Sequence, residues 1–306
     1  MMTVRTDGAA GAAVMKVAGA DFVLVREGMT EFYAPDPERF SEGGLPTKDS
    51  PVAFAPNADV NRSVLVLFHR VHPIETFGDV FCGVGARTLR LHEEAGLKRA
   101  VLSDVNPVAC RVAVINVRRA GVPAEVLCAD AFAVMATREF DAVDLDVHGS
   151  PVPFGQAAFR AVRRGFVHLT ATDLASVRTG AVRRKYLVEG EVPEGDWGAA
   201  RVVVGAMVRL AASEGVGARP LYTLVERGVR VRACLETVPR RSAANEALEN
   251  VEGGVWTGPL CDEEVVLSMM EELGDVGTGW PRSLVDRVKD VLEESLTLGT
   301  REGAVP

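Results

Sequence analysis

The feature that most constrains this chain is a regular alternation of two patterns between residues 75 and 170. Short apolar stretches, typical of strands, alternate with longer ones in which apolar residues recur every three or four positions, as in helices. Such an alternation is explained by a βαβ architecture, in which each helix connects two parallel strands. We therefore predict an α/β fold with a doubly wound, mostly parallel sheet.

The element boundaries follow from this pattern. The predicted strands are Glu75–Phe81, Arg99–Ser103, Ala124–Cys128, Ala142–Leu145 and Phe166–Thr170. The predicted helices are Asn61–Phe68, Ala86–Ala95, Pro107–Ala120, Gly155–Arg164 and Asp196–Ser213. Hairpins are predicted at Phe22–Arg26 with Met29–Tyr33, and at Pro220–Val225 with Val229–Leu235. Gly96 and Gly121 are expected to end helices, and Asp59 or Asn61 to cap one.

Charge is distributed unevenly along the chain. The net charge is −8 at pH 7, but residues 241–306 contain 14 acidic and 5 basic residues, so the rest is close to neutral. Residues 1–240 contain a basic cluster made up of Arg160, Arg163, Arg164, Arg178, Arg183, Arg184 and Lys185. Such a cluster can bind a phosphate backbone even when the whole protein is acidic, although a solvated helix face is equally consistent with it.

We predict three segments: a ragged or disordered N-terminus over residues 1–20, one large domain over 21–240 and an acidic, mainly helical segment over 241–306. Helical character in the last segment is expected from Asp262 to Leu296. Residues 1–20 are rich in small side chains, and Lys16 interrupts the apolar core that a secretion signal would need. No apolar run approaches the roughly 20 residues of a membrane span, so no membrane anchoring is expected. The sequence does not indicate an oligomeric state.

The five cysteines are scattered and include no Cys-x-x-Cys pair. This arrangement disfavours a disulfide framework and a zinc knuckle, so we expect no metal site. It is typical of a cytoplasmic protein.

A glycine loop follows the first strand of the alternation. It runs from Asp79 through Gly83 and Gly85 into a helix, and Thr88 occupies the third glycine position of a dinucleotide-binding motif. Glycine allows the backbone to turn sharply and to approach a ligand closely at the carboxyl ends of the strands. The loop is therefore a candidate for binding a nucleoside cofactor.

Acidic residues also follow the next two strands. Asp104 is well placed to bind ribose hydroxyls, and Asp130 with the backbone of Ala131 could frame an adenine. An acidic residue opening the loop, Asp79, suits the amino-acid part of S-adenosyl-L-methionine (SAM) better than a pyrophosphate. The ordered set of acids favours SAM as the cofactor, although caps and turns also use such residues.

The fourth strand ends in two further carboxylates, Asp144 and Asp146, before the turn Val147-His-Gly-Ser-Pro151. An exocyclic base amine is a poor nucleophile because its lone pair is delocalised into the ring. A carboxylate that accepts its N–H bonds localises electron density on nitrogen and takes up the released proton. Asp146 is therefore a candidate catalytic residue for amine methylation.

Several motifs together resemble the tRNA (guanine-26-N2)-dimethyltransferase family. They are Val25-Arg-Glu-Gly28, Ser50-Pro-Val52, Val60-Asn-Arg62, Asp144-Leu-Asp146, Gly149-Ser-Pro151, Thr170-Ala-Thr-Asp173, Arg184-Lys-Tyr186 and Gly258-Pro-Leu260. The resemblance runs from about residue 22 to 236 and again near 255–270. It implies a Rossmann-like SAM methyltransferase fold, with a small helical remnant at the C-terminus, and an enzyme that methylates guanosine N2 in tRNA.

The resemblance also assigns roles to residues. With the glycine loop, the SAM site would comprise Arg62, Asp79, Gly83, Gly85, Arg87, Asp104, Asp130 and Ala131. The catalytic carboxylate would be Asp146, and His148 is a second catalytic candidate because of its place at the same strand end. The substrate would contact Phe54, Gly149, Ser150, Pro151, Thr172, Asp173, Arg183, Arg184 and Lys185.

The chain departs from the family at positions that concern the substrate. His148 stands where the family carries a phenylalanine that stacks on the target base, and the loop after Asp173 is shortened. The family's cysteine-rich insertion is missing, and its C-terminal domain is reduced. Two alternatives therefore remain beside the family activity: a SAM methyltransferase for another RNA position or substrate, and a catalytically weak binding protein.

Overall fold

The computed structural model describes residues 3–6, 13–177, 179, 181–226, 228–276 and 279–300. Its strands are β1 (Thr3–Thr6), β2 (Ala13–Val17), β3 (Ala20–Glu27), β4 (Thr30–Pro35), β5 (Ser41–Glu42), β6 (Leu45–Pro46), β7 (Thr76–Asp79), β8 (Arg99–Asp104), β9 (Ala124–Cys128), β10 (Ala142–Asp146), β11 (Gly165–Ala171), β12 (Gly217–Glu226), β13 (Arg230–Val238), β14 (Val251–Glu252) and β15 (Val255–Trp256). Its α-helices are α1 (Pro37–Phe40), α2 (Asp59–Val71), α3 (Ala86–Ala95), α4 (Pro107–Ala120), α5 (Ala131–Thr137), α6 (Gly155–Ala161), α7 (Leu174–Val177), α8 (Ala181–Tyr186), α9 (Gly195–Ser213), α10 (Arg241–Leu248), α11 (Glu263–Val276) and α12 (Arg282–Gly299).

The chain forms two compact units. The first comprises Met1–Ala131 and Glu272–Val288, and the second comprises Phe132–Glu271 and Lys289–Pro306. The seven-stranded Rossmann-like sheet draws three strands, β7 to β9, from the first unit and four, β10 to β13, from the second. Both units therefore include part of the C-terminal segment that the sequence pattern sets apart at residue 241.

An antiparallel sheet, β1 to β4, opens the first unit. Its β3–β4 pair is the predicted hairpin, with Gly28 in the left-handed region at φ 59°. Strand β2 lies within the segment expected to be ragged. It is ordered by pairing with β3 and by burial of Met15, which is inaccessible to solvent together with Phe22 and Phe32. Apolar burial of this kind provides the free energy that fixes a short strand.

The parallel part of the first unit follows the sequence pattern closely. Strand β8 pairs in parallel with both β7 and β9. Helix α4 starts at Pro107, after Asn106 caps it by accepting a hydrogen bond from the Val108 amide at 2.9 Å. It ends before Gly121, whose φ of 66° is one that side chains with a Cβ rarely adopt. The predicted bounds of α3 and α4 are thereby confirmed.

The N-cap of α2 differs from the prediction. The cap is Ala58, and Asp59 is the first helical residue. The Asp59 carboxylate accepts hydrogen bonds from both terminal nitrogens of Arg287, one of them at 2.9 Å. It also accepts a bond from the adjacent Val60 amide. The expected capping side chain therefore holds the C-terminal segment of the same unit.

In the second unit the strand order is β12–β13–β11–β10. Strand β10 pairs in parallel with β11, whereas β13 is antiparallel to both β11 and β12. Residues Ala142 to Leu145 are all buried, which fits the prediction of a strand covered on both faces. The mostly parallel α/β fold is confirmed.

The helices that follow include one correction. Helix α6 ends at Ala161, three residues before the predicted end, because Val162 leaves the helical region at ψ 87°. The acidic stretch from Asp262 to Leu296 is mainly helical, as expected, and it is divided into α11 and α12 with Pro281 immediately before α12. In the described part of the chain, no helix is both long and apolar enough to cross a bilayer.

Candidate active site

The glycine loop of the first unit lies between β7 and α3 and depends on backbone conformations that glycine permits. Gly83 and Gly85 have φ values of 54° and 83°. A Cβ at Gly83 would lie 3.2 Å from the Ala53 carbonyl oxygen, and one at Gly85 would lie 3.0 Å from Leu102 Cδ2. The loop therefore has little room for larger residues, as expected where a backbone must approach a ligand.

Asp79 ends β7 and is almost completely buried, with 1% of its surface exposed. Its Oδ2 accepts a hydrogen bond from Thr88 Oγ1 at 2.9 Å, and Thr88 itself is inaccessible. The threonine that replaces the third motif glycine thus fixes the carboxylate at the start of the loop. A buried, oriented carboxylate is suited to binding an ammonium group.

Asp104 ties the loop to the end of β8. Its Oδ2 accepts a bond from the Gly83 amide at 3.0 Å, and its Oδ1 accepts one from the Asn106 amide at 2.8 Å. Each carboxylate oxygen has capacity for a second donor, so Asp104 can still bind a hydroxyl group. Burial, together with the charges of Asp79 and Asp104, raises the pKa of Cys82, which keeps that thiol protonated between them.

Three other predicted cofactor residues occupy different environments. Asp130 is exposed at the end of β9, and Ala131 is buried at the first position of α5. Arg87 is buried on α3, with 7% of its surface exposed. Asp130 and Ala131 therefore lie after the third parallel strand of this unit, as predicted.

Arg62 is buried and paired with Glu27. Its Nε and Nη2 bind the two Glu27 carboxylate oxygens at 2.7 and 2.5 Å, and Nη2 also donates to the Ala55 carbonyl. Phe54 packs 5.0 Å from the guanidinium and edge-on against Phe32. Phe54, a predicted substrate contact, thus lies in the packing around Arg62, with 9% of its surface exposed.

Sequence reasoning did not find the network that holds Glu27. Arg90 Nη1 donates to Glu27 at 3.0 Å, and Arg90 also binds both oxygens of Glu94. Gly28, next to Glu27, lies very close to Arg90, because a Cβ at this position would be only 2.5 Å from Arg90 Nη2. The motif Val25-Arg-Glu-Gly28 was a signal for this network, since it combines the carboxylate with the glycine that gives it space.

In the second unit, the two carboxylates of β10 differ sharply. Asp144 is inaccessible and binds Arg232 through Oδ1 and Oδ2 at 3.2 and 3.0 Å. Asp146, at the end of the strand, is partly exposed. A buried carboxylate paired with a buried guanidinium is structural. His148, two residues further, is exposed.

The loops after β10 and β11 are joined by two hydrogen bonds. The Gly149 amide donates to Thr172 Oγ1 at 2.7 Å, and the Thr172 amide donates to the Gly149 carbonyl at 2.9 Å. Gly149 has a φ of 114°, which suits glycine. The predicted residues Gly149 and Thr172 are therefore brought together, with Ser150 and the buried Pro151 following directly.

Asp173 connects this loop pair to α8. It accepts hydrogen bonds from Tyr186 Oη at 2.6 Å and from Lys185 Nζ at 3.0 Å. Burial, with contributions from Asp173, raises the pKa of Tyr186, and the Ser150 side chain also faces that phenol. Lys185 is thus engaged within the protein.

The predicted basic cluster is divided by its contacts. Arg160 binds both carboxylate oxygens of Glu214, at 2.7 and 2.8 Å. Arg178 lies outside the described residues. The side chains of Arg183 and Arg184 are exposed on α8. Arg163 and Arg164 are exposed as well, so exposure does not separate the two pairs, and the family resemblance is what points to the pair on α8.

Among the residues that the structure describes, no group of three or more His, Cys, Asp or Glu side chains is arranged to hold a metal ion.

A Rossmann-like sheet with a glycine loop and carboxylates after successive strands is typical of the class of nucleoside-cofactor folds that includes the SAM-dependent methyltransferases. The solved structure of Trm1 from Pyrococcus horikoshii, a complex with S-adenosyl-L-methionine, shares this fold with a TM-score of 0.76. The two sequences are 22% identical, and the match covers 90% of this chain and 87% of that chain.

Residues 28–226 match the family described as N2,N2-dimethylguanosine tRNA methyltransferase, and the chain belongs to this family. A protein of Pyrobaculum arsenaticum named tRNA (guanine(26)-N(2))-dimethyltransferase is 32% identical over 286 residues, covering 83% of this chain and 78% of the relative. A protein of the same name from Pyrobaculum neutrophilum is 31% identical, and the match covers 92% of each chain. The resemblance found in the sequence is confirmed.

Proposed function

We propose that this protein transfers methyl groups from SAM to N2 of a guanosine in tRNA, with guanosine 26 as the target. Family membership and the names of the relatives support this activity. The observation that carries it is the contrast between the two carboxylates of β10. Asp144 is neutralised by Arg232, whereas Asp146 lies partly exposed at the end of the strand.

The residues of the first unit fit SAM. The left-handed glycines leave the backbone of the loop open to a ligand, and Asp79 and Asp104 are already oriented by Thr88 and the Gly83 amide. Asp79 would hold the amino group of the cofactor, and Asp104 would accept bonds from the ribose hydroxyls. The remaining cofactor contacts are proposed for Arg62, Gly83, Gly85, Arg87, Asp130 and Ala131.

When bound, SAM supplies an electrophilic methyl group on a sulfonium whose departure needs no acid. Asp146 accepts an N–H bond of the guanine amine, which increases electron density on N2, and takes up the proton that the nitrogen loses. It then returns that proton to solvent. A second methyl transfer needs the same acceptor for the one remaining N–H.

The residues after β10 and β11 are proposed to hold the guanine. The exposed imidazole of His148 offers a ring for stacking on the base, although its area is smaller than that of a phenylalanine. The Gly149–Thr172 bonds fix the loop that carries Ser150 and Pro151, and Asp173 anchors α8 beside it.

Contact with the tRNA backbone is proposed for Arg183 and Arg184, which are exposed and adjacent on α8. Lys185 contributes charge to the same surface while it holds Asp173 and Ser176. A tRNA substrate also makes the cytoplasm the expected location.

The activity is tested with labelled SAM and two unmodified tRNA transcripts, one with guanosine 26 and one with adenosine there. We expect N2-methylated and N2,N2-dimethylated guanosine by mass spectrometry of the nucleosides from the first transcript only. Label in another nucleoside, or in both transcripts, would assign a different RNA position. If the protein bound SAM but labelled no nucleoside, only the alternative of a catalytically weak binding protein would remain.

A further inference from the structure

Leu187 has a backbone conformation that leucine rarely adopts. Its φ is 52°, in the left-handed region, where the Cβ comes too close to the following carbonyl oxygen. Among the described residues, Ala18 is the other one that combines a Cβ with a positive φ, at 51°. Strain of this kind persists only where the surrounding structure imposes it, and it is concentrated at functional sites.

Contacts within the second unit impose this conformation. Arg209 donates to the Leu187 carbonyl at 3.0 Å through Nη1 and to the Tyr186 carbonyl through Nη2. A Cβ at Gly254 would lie 2.8 Å from the Leu187 carbonyl oxygen, so the glycine makes room for it. Tyr186 and Val188, on either side, are buried, whereas Leu187 is 63% exposed. The leucine side chain is therefore held outside the protein between two buried neighbours.

Two cations precede this leucine. Arg183 and Arg184 lie four and three positions before it on α8, and both are exposed. Neither makes a hydrogen bond or an ion pair with another residue that the structure describes. Glu189 is the first acidic residue after Leu187, and its charge acts on Arg209. The surface at the end of α8 thus combines two unpaired cations with one apolar side chain.

The same segment is joined to the loops after β10 and β11. Tyr186 Oη donates to Asp173 at 2.6 Å, and the Ser150 side chain faces the phenol. These loops carry the residues proposed to hold the guanine. Leu187 therefore directly follows the residue that connects α8, proposed to contact phosphates, with the loops proposed to hold the base.

The proposed reaction makes a demand on its substrate. N2 of a guanine that is stacked in an RNA helix is shielded by its neighbours, and enzymes that act on a base take it out of the stack. Proteins open base steps with apolar side chains, leucine among them, that enter between the bases. We propose that Leu187 is such a wedge, which enters the stack beside the target guanosine when Arg183 and Arg184 contact the backbone. This inference rests on the proposed function, in which a base of tRNA is the substrate.

The strained backbone suits this role. A side chain that must enter a stack loses less conformational freedom on binding when its backbone is already fixed. The strain also separates a wedge from an ordinary surface leucine. Glycine at position 187 relieves the left-handed strain and should stabilise the protein, whereas loss of the side chain should impair the action on RNA.

The experiment compares three variants with wild type. Leu187→Ala removes most of the side chain and keeps the left-handed strain, whereas Leu187→Gly removes both. Ala18→Gly is the matched control, because it relieves the same strain at an exposed residue of the first unit. We expect Leu187→Gly and Ala18→Gly each to raise Tm by about 1–3 °C, and Leu187→Ala to leave it nearly unchanged.

The first readout needs no methyl transfer. Each tRNA transcript of a set carries 2-aminopurine, a fluorescent purine whose emission increases when it is unstacked, in place of one purine. We expect wild type and Ala18→Gly to raise the emission about three-fold at the target position, and both Leu187 variants to lose most of this rise. Binding of tRNA should stay within about three-fold of wild type, because the arginines are intact. An equal rise with the Leu187 variants, or no rise at any position with wild type, would overturn the wedge.

The second readout is single-turnover methyl transfer to unmodified tRNA. We expect both Leu187 variants to lower the rate about ten-fold with the Kd for SAM unchanged, and Ala18→Gly to match wild type. A merely structural role of Leu187 does not predict a gain in Tm together with a loss of rate in Leu187→Gly. If wild type transfers methyl groups and the Leu187 variants match its rate, the wedge is overturned. If wild type methylates no nucleoside, the proposed function fails, yet the 2-aminopurine series still decides whether Leu187 unstacks a base.

Discussion

Trp280 Nε1 donates a hydrogen bond to Glu94 Oε2 at 2.7 Å, although the two residues are 186 positions apart in the sequence. The same indole lies 5.0 Å from the Arg90 guanidinium, and Arg90 binds both Glu94 and Glu27. Thr30 Oγ1 donates to the other oxygen of Glu94 at 2.8 Å. The C-terminal segment thus completes the buried charge network of the first unit.

We predict that Trp280→Ala lowers the free energy of unfolding by about 3–5 kcal/mol, because it opens a cavity beside a buried charge. Trp280→Phe keeps most of the ring but removes the donor, so a loss of about 1–2 kcal/mol is expected. Urea unfolding measures both. Leu267→Ala, at a position that is 45% exposed on α11, serves as the control and should change little. Equal stabilities for all three variants would contradict a structural role for the indole.

Glu27 predicts a specific pH dependence of stability. Burial raises the pKa of its carboxyl, but the charges and hydrogen bonds of Arg62 and Arg90 outweigh burial, so the pKa lies below the ordinary value of 4.5. The stabilisation from Glu27 is therefore fully present above pH 4.5 and is lost as the pH falls through its folded-state pKa. Glu27→Gln should be less stable than wild type at about pH 7, and the difference should narrow towards about pH 3.

Melting temperatures between about pH 7 and pH 3 test this dependence. The control is Glu31→Gln, since Glu31 is largely exposed in its pair with Arg119 and should contribute little at any pH. If the difference in melting temperature between Glu27→Gln and wild type stayed constant down to the acidic end of this range, the lowered pKa of Glu27 would be refuted.

Asp146→Asn should lower the rate of methyl transfer by at least about a hundred-fold, because the amide cannot take up the amine proton. Binding of tRNA and of SAM should stay within about two-fold of wild type, since the side chain keeps its shape. Single-turnover kinetics and filter binding measure the two effects. Asp141→Asn, just before the other end of β10, is the matched control and should keep its activity. Near-normal transfer by Asp146→Asn would exclude Asp146 as the acceptor.

Reversing the charges of Arg183 and Arg184 together should weaken tRNA binding at least about ten-fold. The dependence of log K on log salt concentration should become less steep by about 1.4–1.8, corresponding to two lost phosphate contacts. The control, Arg282→Glu with Lys289→Glu on the exposed face of α12, changes the net charge equally. Should the control weaken binding as much, the effect would be one of total charge and not of α8.

Local features of the fold were predictable because their causes are local. The left-handed glycines Gly96 and Gly121 end α3 and α4 at the expected residues, and strand β9 has its predicted bounds. Each feature is encoded within a few neighbouring positions, by periodicity or by a residue with special backbone freedom. Short helices such as α5, with seven residues, carry too little periodicity to be found this way.

The parts that escaped prediction are long-range pairs of buried charges. Arg232 binds Asp144 across 88 positions, and Arg62 binds Glu27 across 35. A charged residue within an apolar strand is a signal that a partner exists, but it does not identify the partner. The sequence likewise did not identify the partner of Asp59, which was predicted to cap a helix and instead binds Arg287, 228 positions later in the chain. The assignment of Asp146 rested on its motif and not on such pairing.

The ties between Trp280, Arg287 and the N-terminal half of the first unit also bear on how the protein is made. Chains usually fold from the N-terminus while they emerge from the ribosome. Here the partners Trp280 and Arg287 follow Glu94 and Asp59 by 186 and 228 positions, so both contacts form late in synthesis relative to the residues that they complete. The part of the first unit that is synthesised first therefore lacks these contacts until residues 280 to 287 have emerged, and chaperone dependence is expected to be concentrated in that interval.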